Sequence, residues 1–382
     1  MTVDPRDPVA VAQALIACPS VTPEEGGALA LLERLLRPLG FEVHRPVFSA
    51  EGTPDVENLF ARRGEGEAFV FAGHTDVVPP GDVGRWRRGP FSAEIVGGEL
   101  FGRGAVDMKG AIACMVAAVA RNPSLKSPLA FLITGDEEGP AVNGTRALLE
   151  WAVARGDRFS ACLLGEPTNP EALGDAVKVG RRGSLSGTVT IRGVQGHVAY
   201  PQLADNPIRK LPGALAALLD EPLDRGTEHF QPSNLEIVGL ESGAGAFNVI
   251  PGEVRVRFNI RYNDRHTAQE LMALVAARLD AAIGPAAYQL AFEPPNGDAF
   301  LTPPGPLVEL VSEAIEAETG RRPELSTSGG TSDARFIKAY CPVVEFGLVG
   351  RTMHQVDERV AAEDLERLTR VYERILERVA RL

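Results

Sequence analysis

Closely spaced cysteines are absent from this chain of 382 residues. The four cysteines lie far apart and mostly within apolar runs, and none of them forms a CxxC pair; they are Cys18, Cys114, Cys162 and Cys341. A disulfide framework needs cysteines at closer and more regular spacings. The pattern therefore favours buried free thiols in a reducing cytoplasm.

Long apolar runs and a basic leader are missing as well. No stretch approaches the ~20 apolar residues that a membrane-spanning helix requires. The opening sequence, MTVDPRDPVAVAQALIAC, lacks a basic region followed by an apolar stretch and a cleavage site. We therefore expect a cytoplasmic protein without a membrane anchor.

Positive charge is in deficit. The 39 lysines and arginines are outnumbered by 51 acidic residues, which gives a formal net charge of -12 at pH 7. Nucleic acid and anionic membrane surfaces would both repel such a chain, so neither is expected as a partner. A small molecule is the better candidate ligand.

The order of apolar segments predicts two domains, as the chain length also suggests. Apolar runs at 68–73, 128–134 and 161–165 have the length of buried strands, and helix-like stretches separate them. This alternation predicts an α/β domain with a mostly parallel sheet. Before it, residues 9–40 predict two helices, the second of which ends at Pro38 and Gly40.

The middle of the chain has a different pattern. Residues 182–297 read as β-α-β-β-α-β, which predicts a ferredoxin-like α+β domain inserted into the first one. Beyond a Pro/Gly-rich junction the chain returns to helix, strand and a final amphipathic helix. The catalytic domain is therefore expected in two pieces, 1–181 and 298–382.

Acidic and histidine residues follow the predicted strands. Because ligands bind at the carboxyl ends of strands in open α/β sheets, we expect these side chains to converge. They are His74 and Asp76 after the first strand, Glu137 and Glu138 after the second, Glu166 after the third, His354 after the last, and Asp107 at the start of the intervening helix.

This combination of residues is suited to a pair of zinc ions. Two imidazoles and three carboxylates can hold two ions if one carboxylate is shared, although cobalt or manganese would also be accepted. The predicted sets are His74, Asp107 and Glu166 on one ion, and Asp107, Glu138 and His354 on the other.

Two further carboxylates remain for other roles. Asp76 is placed to accept the second ring N–H of His74, and Glu137 is left unligated as a general base. Taken singly, a DEE run is usually a solvated loop. The joint placement at one sheet edge is what favours a catalytic metal centre.

His197 has two open interpretations. It lies in GVQGHVAYP, where flanking glycines allow close approach to a ligand and the imidazole could donate to a developing oxyanion. An ordinary turn histidine is the alternative. His44, His229 and His266 lie in polar contexts and receive no role.

The motifs FAGHTDVVPPGD, LFGRGAVDMKG, TGDEEG, LLGEPT and GVQGHVAYP resemble those of the dinuclear-zinc amidohydrolases and metallopeptidases that include acetylornithine deacetylase and carboxypeptidase G. The resemblance implies two zinc ions per subunit and a cis peptide after Asp107. It also implies that the inserted domain serves as a lid and homodimer interface, with His197 reaching the active site of the partner subunit.

Within that family, VGRRGSLSGTVTIRG, GAFNVIPGE and TSGGTSDARFI are similar to the desuccinylase branch. The branch implies hydrolysis of N-succinyl-LL-2,6-diaminopimelate in lysine and diaminopimelate biosynthesis. This substrate carries three carboxylates, which suit arginine forks. The implied substrate residues are Arg181, Ser184, Tyr200, Asn248, Arg261, Gly330 and Thr331.

Three alternatives stay open at this point. Arg182 and Arg261 could instead be salt-bridged strand residues. The chain could be a sister deacylase, such as an acetylornithine deacetylase, aminoacylase or carboxypeptidase, with the same metals and a different acyl pocket. It could also be a dimeric scaffold that has lost the chemistry.

Overall fold

The computed structural model describes residues 3–243, 245–295 and 297–381. The chain divides into two compact units. The first comprises Met1–Val179, Thr302–Ser326 and Ser332–Leu382, and the second comprises Gly180–Leu301 together with Thr327–Thr331. Within the described ranges, none of the helices is both long enough and apolar enough to cross a membrane.

The two predicted N-terminal helices are present. Helix α1 (Pro8–Ile16) begins where the Asp7 carboxylate accepts hydrogen bonds from two main-chain N–H groups of the first turn, with proline at the first helical position. Helix α2 (Ala28–Leu36) continues into a single 3-10 turn and ends at Gly40, whose φ of +86° suits glycine. The predicted stop at Pro38 and Gly40 is therefore confirmed.

The first stretch of the chain supplies most of the central sheet. Its strands are β1 (Glu42–His44), β2 (Leu59–Arg63), β3 (Ala68–His74), β4 (Leu129–Thr134), β5 (Phe159–Leu164) and β6 (Ala176–Lys178). Every residue of β3 and β4 is buried, as their unbroken apolar runs predict. The helices of this stretch are α3 (Lys109–Arg121) and α4 (Thr145–Ala154).

The second unit contains the predicted β-α-β-β-α-β order. Its elements are β7 (Gly183–Arg192), α5 (Leu211–Leu219), β8 (Asn234–Ser242), β9 (Glu253–Tyr262), α6 (Ala268–Ile283) and β10 (Tyr288–Phe292). The sheet order is β8-β9-β7-β10 with antiparallel neighbours, which is the ferredoxin-like arrangement. Burial along β7 alternates residue by residue, so one face of the sheet packs on the core.

The last stretch completes the first unit. It contributes α7 (Pro306–Thr319), β11 (Glu324–Ser326), α8 (Ala334–Ile337), β12 (Val343–Glu345) and α9 (Ala362–Leu376). The order of the central sheet is β1-β2-β4-β3-β5-β12-β6-β11. Strands β4, β3, β5 and β12 are consecutive and parallel, so their carboxyl ends lie along one edge. That edge presents the predicted site residues.

Shorter elements connect these parts. Paired short strands are Val47–Phe48 with Val56–Glu57, Gly180–Arg181 with Phe300–Leu301, Gly196–His197 with Val249–Ile250, and Glu99–Phe101 with Ile95–Val96 and Arg359–Ala361. Single 3-10 turns are Arg37–Leu39, Val83–Arg85, Pro201–Leu203, Pro207–Arg209, Pro285–Ala287, Gly350–Thr352 and Val379–Arg381.

Three short segments group differently from the sequence assignment. Residues 180–181 and 298–301 extend the second unit at its two ends, and the third segment lies further along the chain. Thr327–Thr331, expected in the catalytic domain, belongs to the second compact unit. The physical reason is hydrogen bonding: the guanidinium of Arg181 donates to the main-chain oxygen of Gly330, and the Thr327 hydroxyl donates to that of His229. The segment is thereby held to the unit that carries Arg181.

Candidate metal centre and active site

The predicted ligands converge at the carboxyl edge of the central sheet. Three groups of ligand atoms lie within 4.8 Å of one another: His74 with Asp107 and Glu166, Asp107 with Glu138 and His354, and His74 with Glu137 and Glu138. The first two groups are the sets expected from the sequence. The third shows that Glu137 lies at the same edge, beside both sets.

Asp107 lies between the two imidazoles. Its Oδ1 is 3.1 Å from Nε2 of His74, and its Oδ2 is 3.2 Å from Nε2 of His354. His354 Nε2 also lies 2.8 Å from Oε1 of Glu138. Because the two oxygens of Asp107 face different imidazoles, this carboxylate is arranged as a shared ligand would be. The peptide between Asp107 and Met108 is cis, as the resemblance implies.

Asp76 holds both the His74 ring and the turn after β4. The nearest acceptor to Nδ1 of His74 is the main-chain oxygen of Asp76 at 2.9 Å, while the carboxylate oxygen lies at 3.6 Å. The carboxylate instead accepts the main-chain N–H groups of Glu137 and Glu138, at 3.3 and 3.0 Å. The sequence predicts that the Asp76 carboxylate accepts the ring N–H of His74. In the structure the main-chain oxygen of Asp76 takes that place, because the carboxylate is engaged by the two main-chain N–H groups. The proton on Nδ1 leaves Nε2 free to bind a metal.

Glu166 supplies the clearest indication that a cation belongs here. The residue is buried, and its Oε1 has no hydrogen-bond donor within the described part of the chain. That oxygen lies 4.0 Å from Nε2 of His74. A buried carboxylate oxygen without a donor is costly, and a divalent cation between these groups would satisfy it. The donor set therefore fits a metal centre.

The electrostatics point the same way. Burial raises the pKa of Glu166 well above its usual value, and the negative charges of Asp107 and Glu137 raise it further. Burial alone would also raise the pKa of Asp107, but hydrogen bonds to His354 and His74 outweigh it and lower that pKa. Hydrogen bonds to Asp107 and Glu138 raise the pKa of His354 to about 10. Concentrated carboxylates of this kind attract cations.

Glu137 has the electrostatic surroundings of a general base. Burial raises its pKa to about 8; His74 opposes this shift, whereas the carboxylates of Asp333, Glu138 and Asp107 add to it. A carboxylate that titrates near neutral pH can both accept and release a proton. Its assignment as the base, like the ligand assignments, stays a prediction.

His197 is exposed on a short strand of the second unit. Its Nδ1 accepts a hydrogen bond from the main-chain N–H of Ala199 at 3.1 Å, and its ring lies 5.7 Å from that of Tyr200. The main-chain oxygen of Asn248 accepts from the N–H of Val198. These contacts bring together His197, Tyr200 and Asn248. With Nδ1 occupied as an acceptor, a neutral ring carries its proton on Nε2, where it can be donated.

The other predicted substrate residues form a second group in the same unit. Arg181 is buried, and its Nη1 donates to the main-chain oxygen of Gly330 at 3.0 Å, beside Thr331 in the chain. Ser184 and Arg261 are register partners on β7 and β9. Burial and the nearby Arg182 lower the pKa of Arg261. Among the described residues, Nη1 of Arg182 donates to the side-chain oxygen of Asn234, and no carboxylate contributes to the pKa of Arg261. Neither contact supports the salt-bridged strand residue considered above.

The sequence reasoning assigned no role to Asp136 and Asp333. The Oδ2 atom of Asp136 accepts the main-chain N–H groups of Val142 and Asn143, which fixes the turn after the DEE run. Asp333 is buried and accepts a hydrogen bond from Thr145 Oγ1 at 2.7 Å. Its negative charge raises the pKa of Glu137. The usable signal was its place in the segment TSGGTSDARFI quoted above, because a buried acidic residue is rarely without a partner or a function.

The chain is similar to known proteins in its family, in its sequence and in its fold. Residues 70–378 match the sequence model of peptidase family M20/M25/M40. A curated relative from Methylorubrum populi, named succinyl-diaminopimelate desuccinylase, is 60% identical over 380 residues, which cover 98% of both chains.

Two solved structures share the fold. Aminopeptidase PepT from Bacillus cereus matches with a TM-score of 0.80 at 20% identity, over 99% of each chain. The YXEP protein of Bacillus subtilis, titled a dinuclear metal binding peptidase from the M20 family, matches with a TM-score of 0.67 at 15% identity, over 97% of this chain and 96% of that one. At such identities these two likenesses bear on the fold alone.

Proposed function

Because the chain belongs to peptidase family M20/M25/M40, we propose that it hydrolyses N-succinyl-LL-2,6-diaminopimelate to succinate and LL-2,6-diaminopimelate. The observation that carries this proposal is the 60% identity to a desuccinylase over 98% of the chain. The reaction belongs to lysine and diaminopimelate biosynthesis. The metallopeptidase resemblance derived from the motifs is confirmed by the family match.

We assign two zinc ions to the metal centre, with cobalt or manganese acceptable at one position. One ion would be held by His74, Asp107 and Glu166, and the other by Asp107, Glu138 and His354. When bound, such ions supply Lewis acidity toward the amide carbonyl and lower the pKa of water. The orphaned oxygen of Glu166 and the split contacts of Asp107 support this assignment.

Glu137 performs the proton transfers in this proposal. Its carboxylate takes a proton from the attacking water and later gives it to the nitrogen of the departing amine. Asp76 holds the turn that carries Glu137 through the main-chain N–H, so the base is presented from a fixed backbone. Nδ1–H of His74 donates to the main-chain oxygen of Asp76, which orients the ring so that Nε2 faces Asp107 and the proposed ion.

The second unit supplies the substrate contacts. Arg181 and Arg261 face the carboxylates of the substrate, since a guanidinium fork binds a carboxylate through two hydrogen bonds. Among the described residues, burial and Arg182 lower the pKa of Arg261 and no carboxylate opposes them, which supports a role in binding an anionic group. Ser184, Tyr200, Asn248, Gly330 and Thr331 complete the proposed pocket. His197 donates its Nε2 proton to the oxyanion that forms on the scissile carbonyl.

A homodimer through the second unit is also proposed, with His197 of each subunit serving the active site of the other. Strand β8 lies at the edge of its four-stranded sheet. Val238 and Leu240 on that strand are 63% and 53% exposed, which is unusual for apolar side chains on an edge strand. We place the enzyme in the cytoplasm, where its four free cysteines stay reduced.

Substrate identity is tested by assaying the zinc-loaded protein in parallel on succinyl-LL-diaminopimelate and acetylornithine. We expect succinate release from the first compound with kcat/KM at least 100-fold above acetate release from the second. A preference for acetylornithine would leave the metal chemistry in place and overturn the substrate assignment. Inactivity on both, in a protein that binds no zinc, would favour the non-catalytic scaffold.

A further inference from the structure

Glu358 is a buried carboxylate that binds four donors on one loop. Its Oε1 accepts the main-chain N–H groups of Val106 and Asp107 at 2.9 and 3.2 Å. Its Oε2 accepts the N–H of Gly104 at 3.1 Å and Nη1 of Arg103 at 2.6 Å. Glu358 is 0% exposed and Arg103 2%. All four donors lie on the loop that precedes α3 and ends in Asp107.

The same ion pair also reaches the loop that carries His354. The Nη2 atom of Arg103 donates to the main-chain oxygen of His354 at 3.4 Å. Glu358 itself follows His354 by four residues, and its main-chain oxygen accepts the N–H of Gly102 at 2.9 Å. The loop that runs from His354 to Glu358 contains two non-glycine residues at positive φ, His354 at +60° and Asp357 at +59°. Such backbone persists only where surrounding contacts hold it.

Stability alone is a poor explanation for this pair. Buried ion pairs contribute little net stability, because the desolvation of both charges offsets their attraction. A well-packed apolar pair would serve that purpose. Three main-chain amides of one loop, however, need a ligand with two acceptor oxygens, and only a carboxylate at position 358 provides both. The Glu358 carboxylate therefore fixes the conformation of the loop by holding these three main-chain N–H groups.

We infer that the Arg103–Glu358 ion pair is a positioning device that fixes the shared carboxylate of Asp107 and the imidazole of His354 relative to each other. Both are proposed ligands of the same ion, and their facing atoms, Oδ2 and Nε2, are 3.2 Å apart. Neither Arg103 nor Glu358 touches a metal ligand atom. The inference rests on the proposed dinuclear function and concerns how its second ion is held.

Glu358→Gln is the main test variant. Glutamine keeps one acceptor oxygen but turns an amide N–H₂ toward the N–H of Gly104 and the guanidinium of Arg103, so the loop must shift. Contacts that orient metal ligands are typically worth roughly 10- to 100-fold in metal affinity. We expect the ion shared by Asp107, Glu138 and His354 to bind 10- to 100-fold more weakly, with kcat reduced and KM little changed.

Glu99→Gln is the matched control. Glu99 pairs with Arg359, the residue after Glu358, at 3.1 Å, and this ion pair is partly exposed. The substitution removes a carboxylate charge from the strand Glu99–Phe101, which pairs with the strand that follows Glu358. It leaves the four donors that Glu358 binds unchanged. Zinc affinity and turnover should equal those of the wild-type protein.

Arg103→Lys provides a second variant should Glu358→Gln fail to fold. Lysine keeps a positive charge for Glu358, yet it cannot bridge to the main-chain oxygen of His354 as the guanidinium does. Weakening of the second ion should therefore persist, while the melting temperature of the metal-free protein stays close to that of the wild type.

Zinc occupancy is measured against buffered free zinc for each variant, with His354→Ala marking the step that belongs to the second ion. Two-step binding by the wild type, with the second step weakened more than the first in Glu358→Gln and Arg103→Lys, supports the inference, because Asp107 serves both ions and His354 only the second. Wild-type binding in both variants overturns it, as does equal weakening of both steps. Failure of the wild type to bind two ions would overturn the proposed function instead.

Discussion

Replacing Glu137 by glutamine tests whether this carboxylate acts in proton transfer or in metal binding. Glutamine preserves the size of the side chain and the main-chain N–H that donates to Asp76, but it cannot take up a proton. Glu138 is its natural contrast, because His354 Nε2 lies 2.8 Å from the Glu138 carboxylate. The two neighbouring carboxylates should therefore respond differently to the same substitution.

The size of the effect follows from the surroundings of Glu137. Burial and nearby carboxylates raise its pKa to about 8, and the charge of bound cations would bring it closer to neutrality. A base that titrates near the working pH is most effective, and general acid–base catalysis contributes roughly 10²- to 10⁴-fold. We expect Glu137→Gln to lower kcat by about 10³-fold, equivalent to about 4 kcal/mol of activation free energy.

The assay compares kcat, KM and bound zinc for the wild type, Glu137→Gln and Glu138→Gln. Glu137→Gln should retain the full zinc content with KM nearly unchanged, and Glu138→Gln should lose zinc together with turnover. Turnover of Glu137→Gln within tenfold of the wild type would refute its role as the base. Loss of zinc from Glu137→Gln would instead make it a ligand.

Three further predictions concern the second unit. His197→Ala should lower kcat more than it changes KM, because a donor to the oxyanion acts in the transition state; steady-state kinetics showing an effect on KM alone would make it a binding residue. Arg181→Lys should raise KM for the succinyl substrate roughly tenfold or more with zinc unchanged, since the bidentate contact is lost, and unaltered kinetics would remove Arg181 from the pocket. Burial would raise the pKa of Asp224, but hydrogen bonds from Ser233, Gly226 and Asn263 outweigh it and lower this pKa to about 2. The ionised carboxylate therefore stabilises the folded protein above pH 4, and this contribution is lost as the pH falls toward 2. Asp224→Asn should therefore lower the free energy of unfolding by about 2 kcal/mol at pH 7 and much less near pH 2; denaturant titrations showing a pH-independent difference would contradict this.

Much of the site could be predicted because its residues lie at strand ends. The unbroken apolar run 68–73 identifies a fully buried strand. Parallel neighbouring strands have their carboxyl ends at the same edge of the sheet, so the sequence predicts that His74 and Glu166 lie close together there. The ferredoxin-like order likewise follows from period-two alternation in β7 and β9 and the helical spacing between them.

Other features depended on hydrogen-bond choices that only the folded chain settles. The Asp76 carboxylate was expected to accept a hydrogen bond from the ring N–H of His74. It accepts instead the main-chain N–H groups of Glu137 and Glu138, which lie 61 and 62 residues further along the chain. Arg103 and Glu358 are 255 residues apart, and no local pattern links them. The sequence also assigned Thr331 to the catalytic domain, whereas the segment packs with the second unit.

The central claim is that succinate release depends on two ions held at the edge of the central sheet. Zinc is titrated into the metal-free protein, and bound zinc and succinate release from succinyl-LL-diaminopimelate are measured in the same samples. We predict that activity is absent without zinc and reaches its plateau at about two ions per chain. Full activity in the chelated protein, or a plateau without bound zinc, would contradict the account.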